Sequence, residues 1–246
     1  MEPCRIIVNG AHGKMGQLAV AMLSVQPDFE VVAVLGRADN LSQSIQAMQA
    51  QVVVDLTCAS VVYQNTLTII EAGSCPVIGT SGLLPEQYLT LKAYCDENKL
   101  GGIIVPNFSI GAVLMMHFSS VASKYMSDVE IVEVHHPQKQ EAPSGTAIKT
   151  AEMIAQSRKE HVSYPCHELL SGARGALSRD VPIHSLRVSG VLAQQEVIFG
   201  QTGETLSIVH RTLDRVSFMP GLLLACQKVR ALKTLHYGLE HLLLGT

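Results

Sequence analysis

Short apolar runs alternate with amphipathic stretches through the first 106 residues. Residues 5–9 (RIIVN) form a β-branched run. After a glycine-rich turn, Met15, Leu18, Ala19, Met22 and Leu23 recur at i, i+3, i+4, i+7 and i+8, which is helix spacing. Residues 30–35 (EVVAVL) read as a second strand. A strand–turn–helix–strand unit is a βαβ crossover and predicts a parallel sheet. Further apolar runs lie at 52–56, 76–79 and 102–105, with helical patterns near 60–73 and 85–98. Strands covered on both faces have such continuous runs. Residues 1–106 therefore predict an α/β domain with a Rossmann-like, doubly wound parallel sheet.

After Pro106 the rhythm changes. Residues 110–126 have a helical pattern, 128–136 (DVEIVEVHH) a strand pattern, and 146–160 a helical one. Between 183 and 218 the runs HSLRVSGVL, QEVIFG and ETLSIVHR are separated by turn residues and by no helix. That arrangement predicts a mixed or antiparallel sheet, and hence a second, α+β domain over 107–217. Residues 220–235 predict a terminal helix with Pro220 near its first turn.

Composition narrows the function. The 246 residues are 47% hydrophobic and 16% charged, enough apolar material for one or two cored domains. A net charge of −3 argues against a broad electrostatic grip on nucleic acid or on an anionic membrane, so a bound anion needs a local cluster. No apolar run approaches the roughly 18 residues of a membrane span, and the opening MEPCRIIVNG lacks the pattern of a signal peptide. The six cysteines are scattered without a CxxC pair and are expected to be free thiols in a reducing cytoplasm. No cysteine spacing suggests zinc, and no carboxylate pattern accompanies His161 and His167, so no metal site is expected.

Two segments carry chemistry. Gly10, Gly13 and Gly16 follow a strand and open a helix, where backbone amides and the helix dipole can receive a pyrophosphate. The G-x-x-G-x-x-G spacing is one residue longer than the usual fingerprint, and a βα turn that binds nothing is the alternative. Arg37, just past the second strand, suits the 2′-phosphate of NADP; Asp39 could reach a ribose, and Arg37 could also be a solvated loop charge. The denser cluster is 133–147. His135 and His136 end a strand, Lys139 follows, and Pro143-Ser144-Gly145-Thr146 leads into a helix with an apolar stripe. Imidazoles, an ammonium and an open helix start suit a small anion, such as a dicarboxylate, and proton transfer near neutral pH. A core histidine and an N-cap at Ser144 are the plain structural alternatives.

Over essentially its whole length the chain resembles the 4-hydroxy-tetrahydrodipicolinate reductase (dihydrodipicolinate reductase) family. The resemblance rests on the glycine turn ending Met15-Gly16, on Asp55-Leu56-Thr57, Gly79-Thr80-Ser81-Gly82 and Asn107-Phe108-Ser109-Ile110-Gly111. Its most specific part is Glu133-x-His135-His136-x-x-Lys139-x-x-Ala142-Pro143-Ser144-Gly145-Thr146-Ala147. It implies NAD(P)H-dependent reduction of a cyclic dicarboxylate with loss of water, in lysine and diaminopimelate synthesis. It implies His135 as proton donor/acceptor, Lys139 as proton donor, and His136, Gly145 and Thr146 as substrate contacts. Gly10, Ala11, His12, Gly13, Lys14, Met15, Gly79, Thr80, Ser81, Val105, Pro106, Asn107 and Phe108 fall in cofactor-lining segments. It also implies a homotetramer built through the second sheet, and a chain end at 218–246 that completes the nucleotide domain.

The chain departs from the family in four places. Gly36 stands where many members carry an acidic residue, which with Arg37 favours NADPH while NADH stays open. Ala193-Gln194-Gln195 replaces Gly-Glu-His, Glu141 replaces a common Asp, and the stretch 39–52 is short, as if a loop or helix were trimmed. The expected mechanism anchors the carboxylates on Lys139, His136 and the Gly145–Thr146 amides, with the two domains closing on the reactants and His135 or Lys139 supplying the proton. Two competing readings are another two-domain NADP-linked enzyme, such as a semialdehyde dehydrogenase, and a non-catalytic nucleotide sensor. The first needs a nucleophilic cysteine, and the second domain holds only Cys166, without a recognisable motif.

Overall fold

The computed structural model describes residues 2–159 and 166–245; His161 lies outside the described residues. The chain forms two compact units, one made of residues up to Ile110 together with those from Phe218 onward, the other spanning Gly111–Ser217. In chain order the first unit runs β1 (Cys4–Asn9), α1 (Lys14–Leu23), β2 (Phe29–Leu35), α2 (Leu41–Met48), β3 (Val52–Asp55), α3 (Val62–Glu71), β4 (Cys75–Ile78), α4 (Pro85–Asn98) and β5 (Gly102–Ile104). The second holds α5 (Ile110–Ala122) from its second residue onward, β6 (Asp128–His135), α6 (Gly145–Ser157), β7 (Ala176–Ser178), β8 (Val181–Arg187), β9 (Ala193–Gln201) and β10 (Glu204–Thr212). The chain returns to the first unit with α7 (Met219–Lys228), β11 (Leu235–Tyr237) and α8 (Glu240–Leu244).

The first sheet has the order β11-β5-β4-β3-β1-β2, and all its pairs are parallel. Its inner strands are buried on both faces: Ile6, Ile7, Val8, Val52, Val53 and Val54 have no exposed surface. Because β1 lies between β2 and β3, the winding reverses there, and the crevice at a switch point opens at the carboxyl ends of the strands.

The chain end departs from expectation. The single helix expected over 220–235 stops at Lys228, passes through a 3₁₀ turn at Val229–Ala231, and becomes the edge strand β11. The backbone there lies against Gly101, where a Cβ would fall 2.0 Å from the Val229 carbonyl oxygen. The Gly102 amide donates to the Thr234 carbonyl at 3.1 Å, so pairing with the open edge of β5 outweighs helix spacing. The short stretch after Asp39 keeps a helix, α2, capped by Asn40, whose Oδ1 accepts from the Gln43 amide at 3.0 Å.

The second sheet has the order β10-β9-β6-β8-β7 and is mixed: β6 and β8 are parallel, the other pairs antiparallel. Val129, Ile131, Val197 and Phe199 point to one face and form a core with Ala147, Ala151 and Ile154 of α6. The run expected as HSLRVSGVL begins earlier, at Val181, and stops at Arg187, before the turn at Gly190. β7 was not legible in the sequence; it forms a hairpin with β8 through Arg179 and Asp180, both at positive φ.

Candidate active site

In the first unit, candidate residues gather where β1, β2, β3 and β4 end. Gly10 has φ +81°, and a Cβ on it would lie 2.4 Å from the Leu56 carbonyl oxygen. Gly16, in the first turn of α1, sits so close to the turn that a Cβ would fall 2.2 Å from the Gly10 carbonyl oxygen. The Gly10 and Ala11 amides both donate to the Leu35 carbonyl, tying the turn to the end of β2. Gly13 caps α1 without any side-chain bond, which leaves the first-turn amides for an outside acceptor. These side-chain-free close approaches fit a dinucleotide pyrophosphate.

Lys14 and Arg37 are exposed and have no hydrogen-bond or ion-pair partner among the described residues. The His12 ring lies beside Gly36, 2.7 Å from where a Cβ would stand. Asp39 is exposed, and its Oδ2 accepts from the Gly36 amide at 2.7 Å.

Next to the turn lies a hub that spacing did not disclose. Asp55 is fully buried at the end of β3. It accepts from Asn9 Nδ2 (2.9 Å), Asn65 Nδ2 (2.8 Å), Thr57 Oγ1 (2.7 Å) and Thr80 Oγ1 (2.6 Å), and from the Thr57 amide (3.2 Å). Thr80 also accepts from the Thr57 amide at 2.8 Å, so the turn carrying Gly79, Thr80 and Ser81 is pinned to β3. The side chains of Val105 and Phe108 are buried, and the Phe108 ring packs against Gly79.

In the second unit the motif 133–147 folds into one connected site. Alternation along β6 puts Glu133 and His135 on the same face. Glu133 is fully buried and accepts from His135 Nδ1 at 2.5 Å, from the Arg187 guanidinium at 3.1–3.2 Å and from the Ser144 amide at 3.2 Å. Burial opposes its ionisation, but hydrogen bonds from His135, Arg187 and Ser185, with the attraction of His135, hold the carboxyl at about 2. An ionised carboxylate only accepts, so His135 carries its hydrogen on Nδ1 and presents Nε2 for chemistry.

A turn in which the Lys139 amide donates to the His136 carbonyl at 3.1 Å joins these two residues. Among the described residues the Lys139 ammonium is tethered only to the exposed Glu141, at 3.3 Å, a pairing that an incoming anion can displace. Among the described residues His136 Nδ1 is buried without a hydrogen-bond partner. Ser144 caps α6 through the Ala147 amide at 3.2 Å, and Gly145, the first residue of α6, has nothing within 4 Å of the place a Cβ would occupy. Gln195, directly across from Glu133 on β9, donates to Thr150 at 2.8 Å, and its own oxygen has no partner among the described residues. Glu133 stands in the sequence motif without a role assigned to it, and Arg187 lies outside the motif. The i, i+2 spacing of Glu133 and His135 was the available signal for the first; Arg187 reaches the site only through the pairing of β8 with β6.

Among the described residues, no group of three or more histidines, cysteines or acidic residues could hold a metal ion, and no helix is long and apolar enough to cross a membrane.

A switch-point glycine turn on one unit and an imidazole–ammonium cluster on a separate α+β unit define a nicotinamide-dependent oxidoreductase of the Rossmann class. Residues 4–108 match the family profile for the dihydrodipicolinate reductase N-terminus, and residues 111–243 match that for the C-terminus. A 4-hydroxy-tetrahydrodipicolinate reductase of Legionella pneumophila (strain Paris) is 59% identical over 97% of this chain and 99% of its own length. One from Coxiella burnetii is 48% identical over 97% and 98%. A dipicolinate-bound dihydrodipicolinate reductase from Paenisporosarcina sp. TG-14 superposes with a TM-score of 0.88, at 40% identity over 98% of this chain and 99% of that one. The chain belongs to the dihydrodipicolinate reductase family.

Proposed function

We propose that this protein reduces 4-hydroxy-tetrahydrodipicolinate to tetrahydrodipicolinate with loss of water, in lysine and diaminopimelate biosynthesis, using NADPH in preference to NADH. The observation that carries the reading is the strand end where Glu133-oriented His135 adjoins the Lys139 turn and the open start of α6. The names of the Legionella and Coxiella relatives, and the dipicolinate bound to the Paenisporosarcina protein, support the choice of substrate.

In this reading, Lys139, His136 and the amides of Gly145 and Thr146 hold the two carboxylates. The partnerless His136 Nδ1 is the kind of buried polar atom that a ligand oxygen satisfies. The Lys139 ammonium, or His135 once its Nε2 has taken up a proton, delivers the proton, and either group in its cationic form stabilises negative charge as it builds on the ring. Residues Gly10 to Met15, Gly79 to Ser81 and Val105 to Phe108 hold the dinucleotide. The bound nicotinamide supplies the hydride. Arg37, exposed and without a partner among the described residues, meets the 2′-phosphate, assisted by the absence of a carboxylate at Gly36.

We read the assembly as a cytoplasmic homotetramer built through the second sheet. Its face opposite α6 carries Leu186 and Val209, about 40% exposed (41% and 39%). Sedimentation velocity checks the assembly state.

The deciding experiment follows the nicotinamide absorbance band with freshly made hydroxy-tetrahydrodipicolinate and each cofactor in turn. Substrate-dependent oxidation is expected, faster at low concentration with NADPH. Tight NADPH binding without consumption would leave a sensor instead of an enzyme. Arg37→Ala is expected to raise the KM for NADPH about tenfold, since a charge-assisted phosphate contact is lost, while the KM for NADH changes less than threefold.

A further inference from the structure

We propose that Glu133 and Arg187 are a positioning pair for proton transfer, Glu133 orienting the His135 imidazole and Arg187 fixing the backbone that carries Lys139. The proposal rests on the reading of His135 and Lys139 as the proton-transfer groups.

Glu133 has no exposed surface, and its two oxygens are divided between functions. Oε2 takes His135 Nδ1 at 2.5 Å, and Oε1 takes the Ser144 amide at 3.2 Å, one residue before the open start of α6. The same carboxylate thus sets the imidazole tautomer and seats the helix start. Arg187, register partner of His135 on β8, fills every donor direction of its guanidinium. Nε donates to the Lys139 carbonyl at 3.2 Å, and Nη2 to the Glu141 carbonyl at 2.7 Å. Nη1 donates to the Leu186 carbonyl at 2.7 Å, and both terminal nitrogens donate to Glu133. The arginine therefore grips the loop on both sides of its midpoint, whereas among the described residues the Lys139 side chain has one exposed partner and can turn to a ligand.

A buried ion pair is weak evidence for stability, because well-packed apolar residues often serve as well. What this pair contributes that apolar residues could not is direction: one nitrogen of His135 is committed, and the ribbon under Lys139 is held. A lysine at 187 keeps the charge but lacks the planar fork that reaches Glu133 and two carbonyls together.

The test uses Glu133→Gln and Arg187→Lys in the full-length protein, with folding followed by circular dichroism and NADPH affinity by its fluorescence. For Glu133→Gln, NADPH affinity is expected within twofold of the parent and kcat at least tenfold lower. Long-range ¹H–¹⁵N spectra, with His135 assigned by its loss in His135→Asn, are expected to change from one Nδ1–H tautomer to a mixture. Arg187→Lys is expected to keep the tautomer, to weaken dipicolinate binding in calorimetry at least tenfold and to lower kcat/KM at least as much. An unmoved imidazole spectrum together with kcat within twofold in Glu133→Gln overturns the proposal. If that variant does not fold, Arg187→Lys decides, and dipicolinate affinity and kcat/KM within twofold of the parent overturn it. Should the parent protein fail to turn over hydroxy-tetrahydrodipicolinate, the functional reading fails, while the imidazole spectra and dipicolinate calorimetry still judge the positioning pair.

Discussion

Lys139 is half-buried, and among the described residues its ammonium has only the exposed Glu141 as a partner, 3.3 Å away. Its charge is therefore available to a dicarboxylate rather than committed to the fold. Lys139→Ala is expected to lower kcat/KM for the reductase reaction by two orders of magnitude or more, while NADPH affinity stays within twofold. Loss of NADPH binding instead would show that the lysine serves the nucleotide. Glu133 makes the opposite case, a charge spent wholly inside the protein. Its carboxyl sits at about 2 in the folded chain against an ordinary 4.5. A carboxyl depressed on folding stabilises above its unfolded value and loses that contribution as pH falls through its folded value. Between pH 4.5 and 2, unfolding free energy from urea titrations should fall by roughly 3 kcal/mol on account of this group. The Glu133→Gln variant should lack that part of the slope; an equal slope in both proteins would place the acid sensitivity elsewhere.

At the level of elements, α1 and the turn before it behave as one part. Gly16 allows the helix to approach the Gly10 carbonyl more closely than any side chain permits. Gly16→Val places a Cβ 2.2 Å from that oxygen and 2.6 Å from the Ala11 Cα, so the helix must move off the turn. The expected outcome is a loss of about 2 kcal/mol in stability and at least a tenfold loss of NADPH affinity, with dipicolinate affinity within twofold by calorimetry. Helices α1, α4 and α6 were legible because each carries its stripe, cap or proline within its own sequence. The stretch after Lys228 was not: its apolar residues suit a helix, and only the open edge of β5 turns them into a strand. Strand β7 is three residues long, too short for alternation to register, and exists because the turn at Arg179 and Asp180 folds it onto β8.

Over the whole molecule, two units carry separate cores and separate candidate sites. Each ligand should therefore stabilise its own unit. At a hundred times its dissociation constant a ligand contributes roughly 2.7 kcal/mol to the state that binds it. Hydrogen exchange with NADPH is expected to slow at 10–23 and 79–81, and exchange with dipicolinate at 135–147. Protection of 135–147 by NADPH alone, with no effect near Gly10, would exchange the roles assigned to the two units.

Residue order alone established the parallel sheet, the glycine turn, the His135–His136–Lys139 cluster and the family. These depend on local period, on turn chemistry and on a motif contiguous in the chain. It could not show that Asp55 collects donors from Asn9, Asn65 and Thr80, or that Arg187 reaches Glu133, Lys139 and Glu141. Those contacts join positions 46 to 54 residues apart in several cases, and strand register is what brings them together. A buried charge leaves no periodic trace in sequence; its partners are chosen by the sheet that buries it.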